Sequence, residues 1–366
     1  MAISKLYIDQ NVADEPQTRL IQSRLKIPYE IVTGPQPIYQ HVLSSPDPIA
    51  SGKEILLLTR NHGAFIKDCP GTRCYTCCGY KILHIGTYCT MDCAYCILQS
   101  YFHPPLLQYF TNQGDMLQEL EKLFTQKKIY RIGTGEFTDS LIWESWTGLA
   151  KDLVSIFSRQ HDAVLELKTK TTSIEGLQAL NHNQKTIISW SLNTDKIIRA
   201  EERRTSPLSA RLQAAGKCAS WGYPIAFHFD PLVIYDGCEK DYRAVVEALF
   251  THVQSERIVW ISLGTLRFPP SLKPIIQERF PGSRIIYGEF ITGLDGKMRY
   301  FKPLRIELYQ KMVSLIKEIA PDVFIYFCME DDEVWQKTIG FLPSVHGGLK
   351  KMLDERAAKI CGLGDQ

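Results

Sequence analysis

From residue 82 onward the apolar positions alternate between short β-branched-rich runs and longer stretches with helical spacing. The strand-like runs are 82–86, 129–134 (IYRIGT), 164–169 (VLELKT), 186–192 (TIISWSL), 225–230 (IAFHFD) and 257–264 (RIVWISLG). Helical patterns fill 114–126, 141–159, 173–180, 208–221 and 240–253. Such alternation predicts parallel strands joined by right-handed crossovers, and apolar runs bounded by turns fit strands buried on both faces. Six units predict an α/β fold, a partial (β/α)6 TIM-like barrel. Its chemistry is expected at the C-terminal strand ends.

Upstream, Lys5–Ile8 and Tyr29–Val32 read as strands and Glu15–Leu25 as a helix. Residues 33–53, rich in Pro, Ser and Gly, read as a loop, and Glu54–Thr59 reads as a buried strand. Downstream, a helix over Leu304–Ala320 and a strand over Val323–Phe327 are expected to close the side of the barrel. The division predicted is an N-terminal α/β extension (1–68), a cysteine-rich segment (69–81), the barrel (82–266) and a C-terminal extension (267–366).

Composition narrows the class only partly. The chain has 366 residues, with 42 Lys plus Arg against 40 Asp plus Glu and a formal net charge of +2. Bulk charge therefore argues neither for nor against nucleic acid, and any basic surface must be local. The opening MAISKLYIDQ lacks a secretory pattern, and no apolar run approaches the ~18 residues of a membrane span. Eleven cysteines, an odd number, then favour metal ligation in a reducing cytoplasm over disulfides.

The chemistry concentrates in Ile82–Gln99 (ILHIGTYCTMDCAYCILQ). After a short strand that breaks at Gly86, a loop carries Cys89, Cys93 and Cys96, with three and then two residues between them. Three thiolates can bind three corners of a cubic iron–sulfur cluster; such a cluster normally takes four protein ligands, so one iron is left open. An open iron beside an aromatic, here Tyr95, is the arrangement of radical S-adenosylmethionine enzymes. A zinc site would need a fourth Cys or His, with His103 nearest, and three unrelated core cysteines are the remaining reading.

Polar residues collect at the expected strand ends. Gly133-Thr134-Gly135-Glu136 follows the second strand, Lys168-Thr169-Lys170 ends the third, Ser191-Leu192-Asn193 the fourth and His228-Phe229-Asp230-Pro231 the fifth. Two glycines allow close approach to a ligand, or form a plain turn. Glu136 can accept from an ammonium group, and Lys170 can pair with a carboxylate or be a solvated rim lysine. Ser191 and Asn193 fall on one side at period two, within reach of ribose hydroxyls. His228 and Asp230 suit proton handling or a structural pair.

Three further groupings stand out. Cys69, Cys74, Cys77 and Cys78 lie within ten residues before the first strand. They can hold an auxiliary iron–sulfur cluster or another metal, supply a donor thiol, or pack as small apolar side chains. Arg199, Arg203, Arg204 and Arg211 can meet phosphates or form a solvated helix face. Tyr101, Phe102, His103, Tyr109 and Phe110 can stack on an exposed base or pack in the core. Arg267, in SLGTLRF, is a contact candidate for cofactor or substrate.

The chain resembles the spore photoproduct lyase family of radical S-adenosylmethionine enzymes, the DNA repair photolyases, over nearly its full length. The resemblance runs through KLYIDQNVADEPQTRLIQSRL, CTMDCAYCILQ, SLNTDKIIRAEERRTSPLSARLQAA, WGYPIAFHFDPLVIYDGCEKDY and SLGTLRF. It implies a partial barrel of the radical enzyme type, with a [4Fe-4S] cluster on Cys89, Cys93 and Cys96 and S-adenosyl-L-methionine on Gly133, Thr134, Gly135, Glu136, Lys170, Ser191 and Asn193. It further implies an external electron donor of flavodoxin or ferredoxin type and repair of methylene-bridged thymine dimers in DNA, with a protein thiol and tyrosines returning a hydrogen atom.

The sequence departs from that pattern at two places. No cysteine stands in GTGEFTDS, where the lyase has its donor, and Ile97 follows Cys96 where the lyase has a tyrosine. Tyr95 is what remains of the relay, with His228, Asp230, Cys77 and Cys78 as further catalytic candidates. The same scaffold could then act on a peptide or small molecule, or a metal-stabilised nucleic-acid-binding protein could lack catalysis altogether.

Overall fold

A computed structural model describes residues 3–71 and 74–364 of the chain. Eight strands form its principal sheet: Ile66–Asp68 (β1), Lys81–Leu83 (β2), Tyr130–Gly133 (β3), Ala163–Thr169 (β4), Thr186–Ser191 (β5), Ile225–Leu232 (β6), Ile258–Thr265 (β7) and Ile325–Phe327 (β8). Their spatial order is their chain order. The β1–β2 pair is antiparallel, and each pair from β2 to β8 is parallel. The sheet curls into a half-barrel, so that Glu166 of β4 and His228 of β6 meet across its concave face at 2.7 Å.

The mixed α/β half-barrel agrees with the expected class, while the six-unit count does not describe this sheet. A seventh parallel strand arrives from the C-terminal third, because Ile325 and Phe327 are buried beside β7 and Phe327 packs between Tyr309 and Trp335 at 4.9 and 4.8 Å. The helix expected over 173–180 is only a 3-10 turn, Glu175–Leu177. Its apolar Ile174 and Leu177 are buried as a plug, and left-handed Asn183 and Gln184 turn the chain back at once. The expected strand 82–86 splits, with Lys81–Leu83 in the half-barrel and Gly86–Thr87 in a second sheet.

That second sheet is ordered Tyr29–Val32, Lys5–Asp9, Ile55–Thr59, Leu107–Phe110, Gly86–Thr87. It joins the appended N-terminal segment to the barrel through one continuous apolar core containing Leu6, Ile8, Leu56, Leu58, Leu107 and Ile132. Residues 33–53 are not loop throughout. Helices Gln36–Leu43 and Pro48–Gly52 lie within them, each with a proline in its first turn, where the missing N–H costs nothing. Asp47 caps the second helix through the Ala50 N–H at 2.9 Å. The long C-terminal helix is Lys302–Ile319. No helix among the described residues is long and apolar enough to cross a membrane.

Candidate active site

Gly86 needs its bare α-carbon, since a Cβ there would lie 2.5 Å from the Gln108 carbonyl oxygen. The chain then turns through Tyr88, at a positive φ of 72°, into the cysteine loop. Asp92–Cys93 pairs antiparallel with Glu202–Arg203, which brings the loop back over the strand ends. Gln99 closes the loop from inside: its amide donates to the carbonyls of Cys93 (3.2 Å), Ala94 (2.9 Å) and Cys96 (3.4 Å).

Cys89, Cys93 and Cys96 line one chamber of about 290 Å³. The opposite wall comes from strand ends: Gly135 and Glu136 after β3, Lys168 and Lys170 at β4, Ser191 at β5, Asp230 on β6 and Arg267 after β7. These are C-terminal ends of parallel strands, where half-barrel side chains converge. Burial pushes the Cys89 thiol up to about 12 and the Cys93 thiol well above its ordinary range, so a metal loaded there would release protons.

A second chamber of about 170 Å³ adjoins the first and shares Glu136, Lys168, Ser191, Asp230, Arg267 and Met329 with it. Cys69, Cys77, Cys78 and Cys328 line it, as do Glu166, His228 and Ser262. Both His228 nitrogens are engaged, Nδ1 with Ser262 Oγ at 2.6 Å and Nε2 with Glu166 Oε1 at 2.7 Å. Burial alone would raise Glu166, but His228 beside it brings the carboxyl below its usual range. Asp230 is forked onto Arg267 at 3.1 and 3.0 Å, and that guanidinium also reaches Cys328 Sγ at 3.4 Å.

Several sequence candidates thus meet. Tyr95, Gly135, Glu136, Lys170, Ser191 and Asp230 share the first chamber with the three cysteines, while Cys77, Cys78 and His228 line the second. Others do not line either chamber. Asn193 is fully buried; it donates to the Pro231 carbonyl at 2.8 Å and accepts from Thr194 N–H and the Tyr242 hydroxyl. Thr134 is buried with its hydroxyl unpartnered, and Gly133 lies under Tyr80, whose hydroxyl a Cβ would overlap at 1.5 Å. Cys74 is exposed and outside both walls; Cys328 completes the thiol group instead. Among the described residues no three Cys, His, Asp or Glu side chains converge to hold a single metal ion, at this segment or at the loop. Both places offer thiols around a chamber.

Two surface expectations change. Arg211 is fully buried, donating to Glu202 (2.6 Å), Ser191 O and Ser206 O (both 2.8 Å), so it cannot face phosphates. Arg203 lies over the Phe280 ring at 4.4 Å, while Arg199 and Arg204 are exposed. Tyr109 and Phe110 are core residues of Leu107–Phe110, whereas Tyr101 is 53% exposed. The sequence reading passed over Glu166 and Asp139. Glu166 alternates with Lys168 in VLELKT, a period-two signal that could have found it. Asp139 carries no such signal; it is buried and ties down the Lys170 and Leu141 N–H groups at 2.8 and 3.0 Å.

The family model for spore photoproduct lyase matches residues 76–321. A spore photoproduct lyase of Bacillus subtilis (strain 168) is 28% identical over 205 residues, 55% of this chain and 60% of that one. One from Clostridium acetobutylicum is 25% identical over 223 residues, 60% and 64%. The chain therefore spans less than two thirds of the length of these curated relatives. Among solved structures, a spore photoproduct lyase mutant with dinucleoside spore photoproduct superposes with a TM-score of 0.78 at 21% identity, covering 88% of this chain and 98% of that one. Another, with bound AdoMet and dinucleoside spore photoproduct, gives 0.77 at 21% with the same coverage. The half-barrel is shared with these structures, and by the family match the chain belongs to the spore photoproduct lyase family.

Proposed function

We propose that this chain is a radical S-adenosylmethionine lyase acting on a DNA lesion of the spore photoproduct class. The observation that carries the reading is the first chamber, where three loop cysteines face a wall of polar strand ends. Among the described residues no fourth Cys and no His lines that chamber, which suits a cluster with one open iron. Cys89, Cys93 and Cys96 would hold a [4Fe-4S] cluster. Glu136, Lys170 and Ser191 would bind S-adenosyl-L-methionine, with Gly135 leaving room for it: a Cβ at Gly135 would already meet Lys168 and Ser140 at 3.0–3.1 Å. When bound, this pair supplies a 5′-deoxyadenosyl radical, with the electron coming from a flavodoxin or ferredoxin type donor.

The residues around it have separable tasks. Tyr95, beside the second and third cysteines, lines the chamber with its hydroxyl held by Glu202. Asp230 and Arg267 neutralise one another at the wall common to both chambers. Cys77 and Cys78 line the second chamber. Cys78, whose bond to Cys77 keeps its thiol protonated, is assigned to hydrogen return with Cys77 as its partner, standing in for the cysteine missing from GTGEFTDS. The relatives support a DNA-type substrate, since two of the similar structures hold dinucleoside spore photoproduct.

The test is anaerobic reconstitution and reduction, followed by assay of 5′-deoxyadenosine and of conversion of a lesion-bearing dinucleotide to the unbridged dinucleotide with both thymines intact. Wild type should form both products and Cys93→Ala neither. Cofactor cleavage retained in Cys93→Ala would remove the cluster assignment. Cleavage of the cofactor without repair would favour the second reading, another substrate on the same scaffold, which Ile97 in the chamber wall suggests.

A further inference from the structure

The cysteine loop has one carboxylate, Asp92, and it is gripped by two cations from opposite ends of the chain. Lys53, from the N-terminal extension and 3% exposed in its side chain, reaches Asp92 Oδ1 at 3.2 Å and also donates to the Met91 carbonyl. Arg279, from the C-terminal third and 8% exposed, reaches the same oxygen at 3.1 Å. It also donates to Gln99 Oε1, the side chain whose amide holds the Cys93, Ala94 and Cys96 carbonyls. Its Nε is bonded to Asp47 at 3.1 Å, back in the N-terminal extension.

The charges do not balance where it matters. Two buried cations face one buried carboxylate, because the second carboxylate, Asp47, is 44% exposed and its charge is largely screened by water. Lys53 thus adds positive charge beside the thiol ligands, opposing the buried carboxylates of Asp139 and Glu202 that act on Cys89 and Cys93. Burying two cations is costly, and a simple hydrogen-bonded loop would not require it. Positive charge near an iron–sulfur cluster stabilises its reduced form, since net charge is one of the levers on its potential.

We propose that Lys53 and Arg279 are positioning residues that clamp the cysteine loop and raise the reduction potential of the group it holds. The potential half of this rests on the cluster reading above; the clamp half does not. The test pairs two readouts on full-length protein. In metal-free protein, amide exchange of residues 88–101 should accelerate severalfold in Lys53→Met, with Lys53→Arg restoring protection. In reconstituted protein of equal iron content, Lys53→Met should lower the one-electron reduction constant about tenfold, which is about 59 mV.

Arg279→Lys keeps the charge but loses the fork, so exchange should rise while the potential stays within about twofold. If Lys53→Met fails to fold, that variant decides the clamp, and Arg279→Gln in reconstituted protein decides the electrostatic role by the same fall in potential. Unchanged exchange in both variants overturns the clamp, and an unchanged potential in iron-loaded Lys53→Met overturns the electrostatic role. Wild type that takes up no iron but loses loop protection in Lys53→Met would sink the cluster reading and the potential effect with it, while upholding the clamp.

Discussion

Tyr95 donates its phenolic hydroxyl to Glu202 at 2.5 Å, and the other oxygen of that carboxylate takes Arg211 at 2.6 Å. The ion pair is dry, with side-chain exposures of 0% and 1%. Burial, then Glu202, hold the phenol of Tyr95 far above its ordinary range, so it stays protonated. Arg211 also fastens the Ser191 carbonyl, so one network joins the cysteine loop to the end of β5. Arg211→Met should strand a buried carboxylate and cost about 3–5 kcal/mol, measured by urea denaturation. A loss below about 1 kcal/mol would mean the pair carries no such weight.

Gly133 closes β3 beneath the side chain of Tyr80. A Cβ would fall 1.5 Å from the Tyr80 hydroxyl and 2.8 Å from the Glu166 backbone carbonyl. The tyrosine can rotate away, but the backbone cannot, so Gly133→Ala should cost about 1–3 kcal/mol as overpacking. The double variant Gly133→Ala, Tyr80→Phe should recover part of that in thermal melts. No recovery would place the clash at the backbone alone.

His84 lies edge-on between Phe110 and Phe137, at 5.0 and 4.9 Å, with Lys67 Nζ 2.9 Å from Nδ1. Burial first, and Lys67 second, push its pKa from 6.5 down to about 4. The folded state therefore refuses a proton that the unfolded chain accepts, and stability falls as pH drops from about 6.5 toward about 4. By pH 5 the loss should be roughly 1–2 kcal/mol. His84→Phe should flatten melting temperature against pH over that window, and an unaltered slope would assign the acid sensitivity to other groups.

Cys77 and Cys78 differ in reactivity because of each other. A hydrogen bond from the Cys78 thiol draws the exposed Cys77 below its ordinary range against the opposing effect of burial, and Gly79 N–H adds to it at 3.4 Å. Burial pushes Cys69 up to about 11 and Cys328 up to about 12. The thiolate is the nucleophile, so iodoacetamide at pH 7 should label Cys77 first, and Cys78→Ala should slow that labelling severalfold. Mass spectrometry showing Cys328 labelled as fast would contradict this order.

The local features of this protein were legible in its sequence. Cysteine spacing in CTMDCAYCILQ, the β-branched runs and the polar residues after them all depend on near neighbours along the chain, and period two or 3.6 states which side they face. Tertiary structure decided what no local pattern carries. Cys328 joins Cys69, Cys77 and Cys78 because β8 adds to the sheet edge after β7. Asn193 turns into the core because Tyr242 and the Pro231 carbonyl satisfy its amide there. Arg211, set in a basic-looking stretch, is buried because Glu202 and two backbone carbonyls consume its donors. Lys53, at the end of a stretch read as loop, and Arg279, which no sequence pattern singles out, converge on Asp92 only when both appended segments fold against the cysteine loop. The physical reason is that burial and pairing of charge depend on which distant strands the curled sheet brings together.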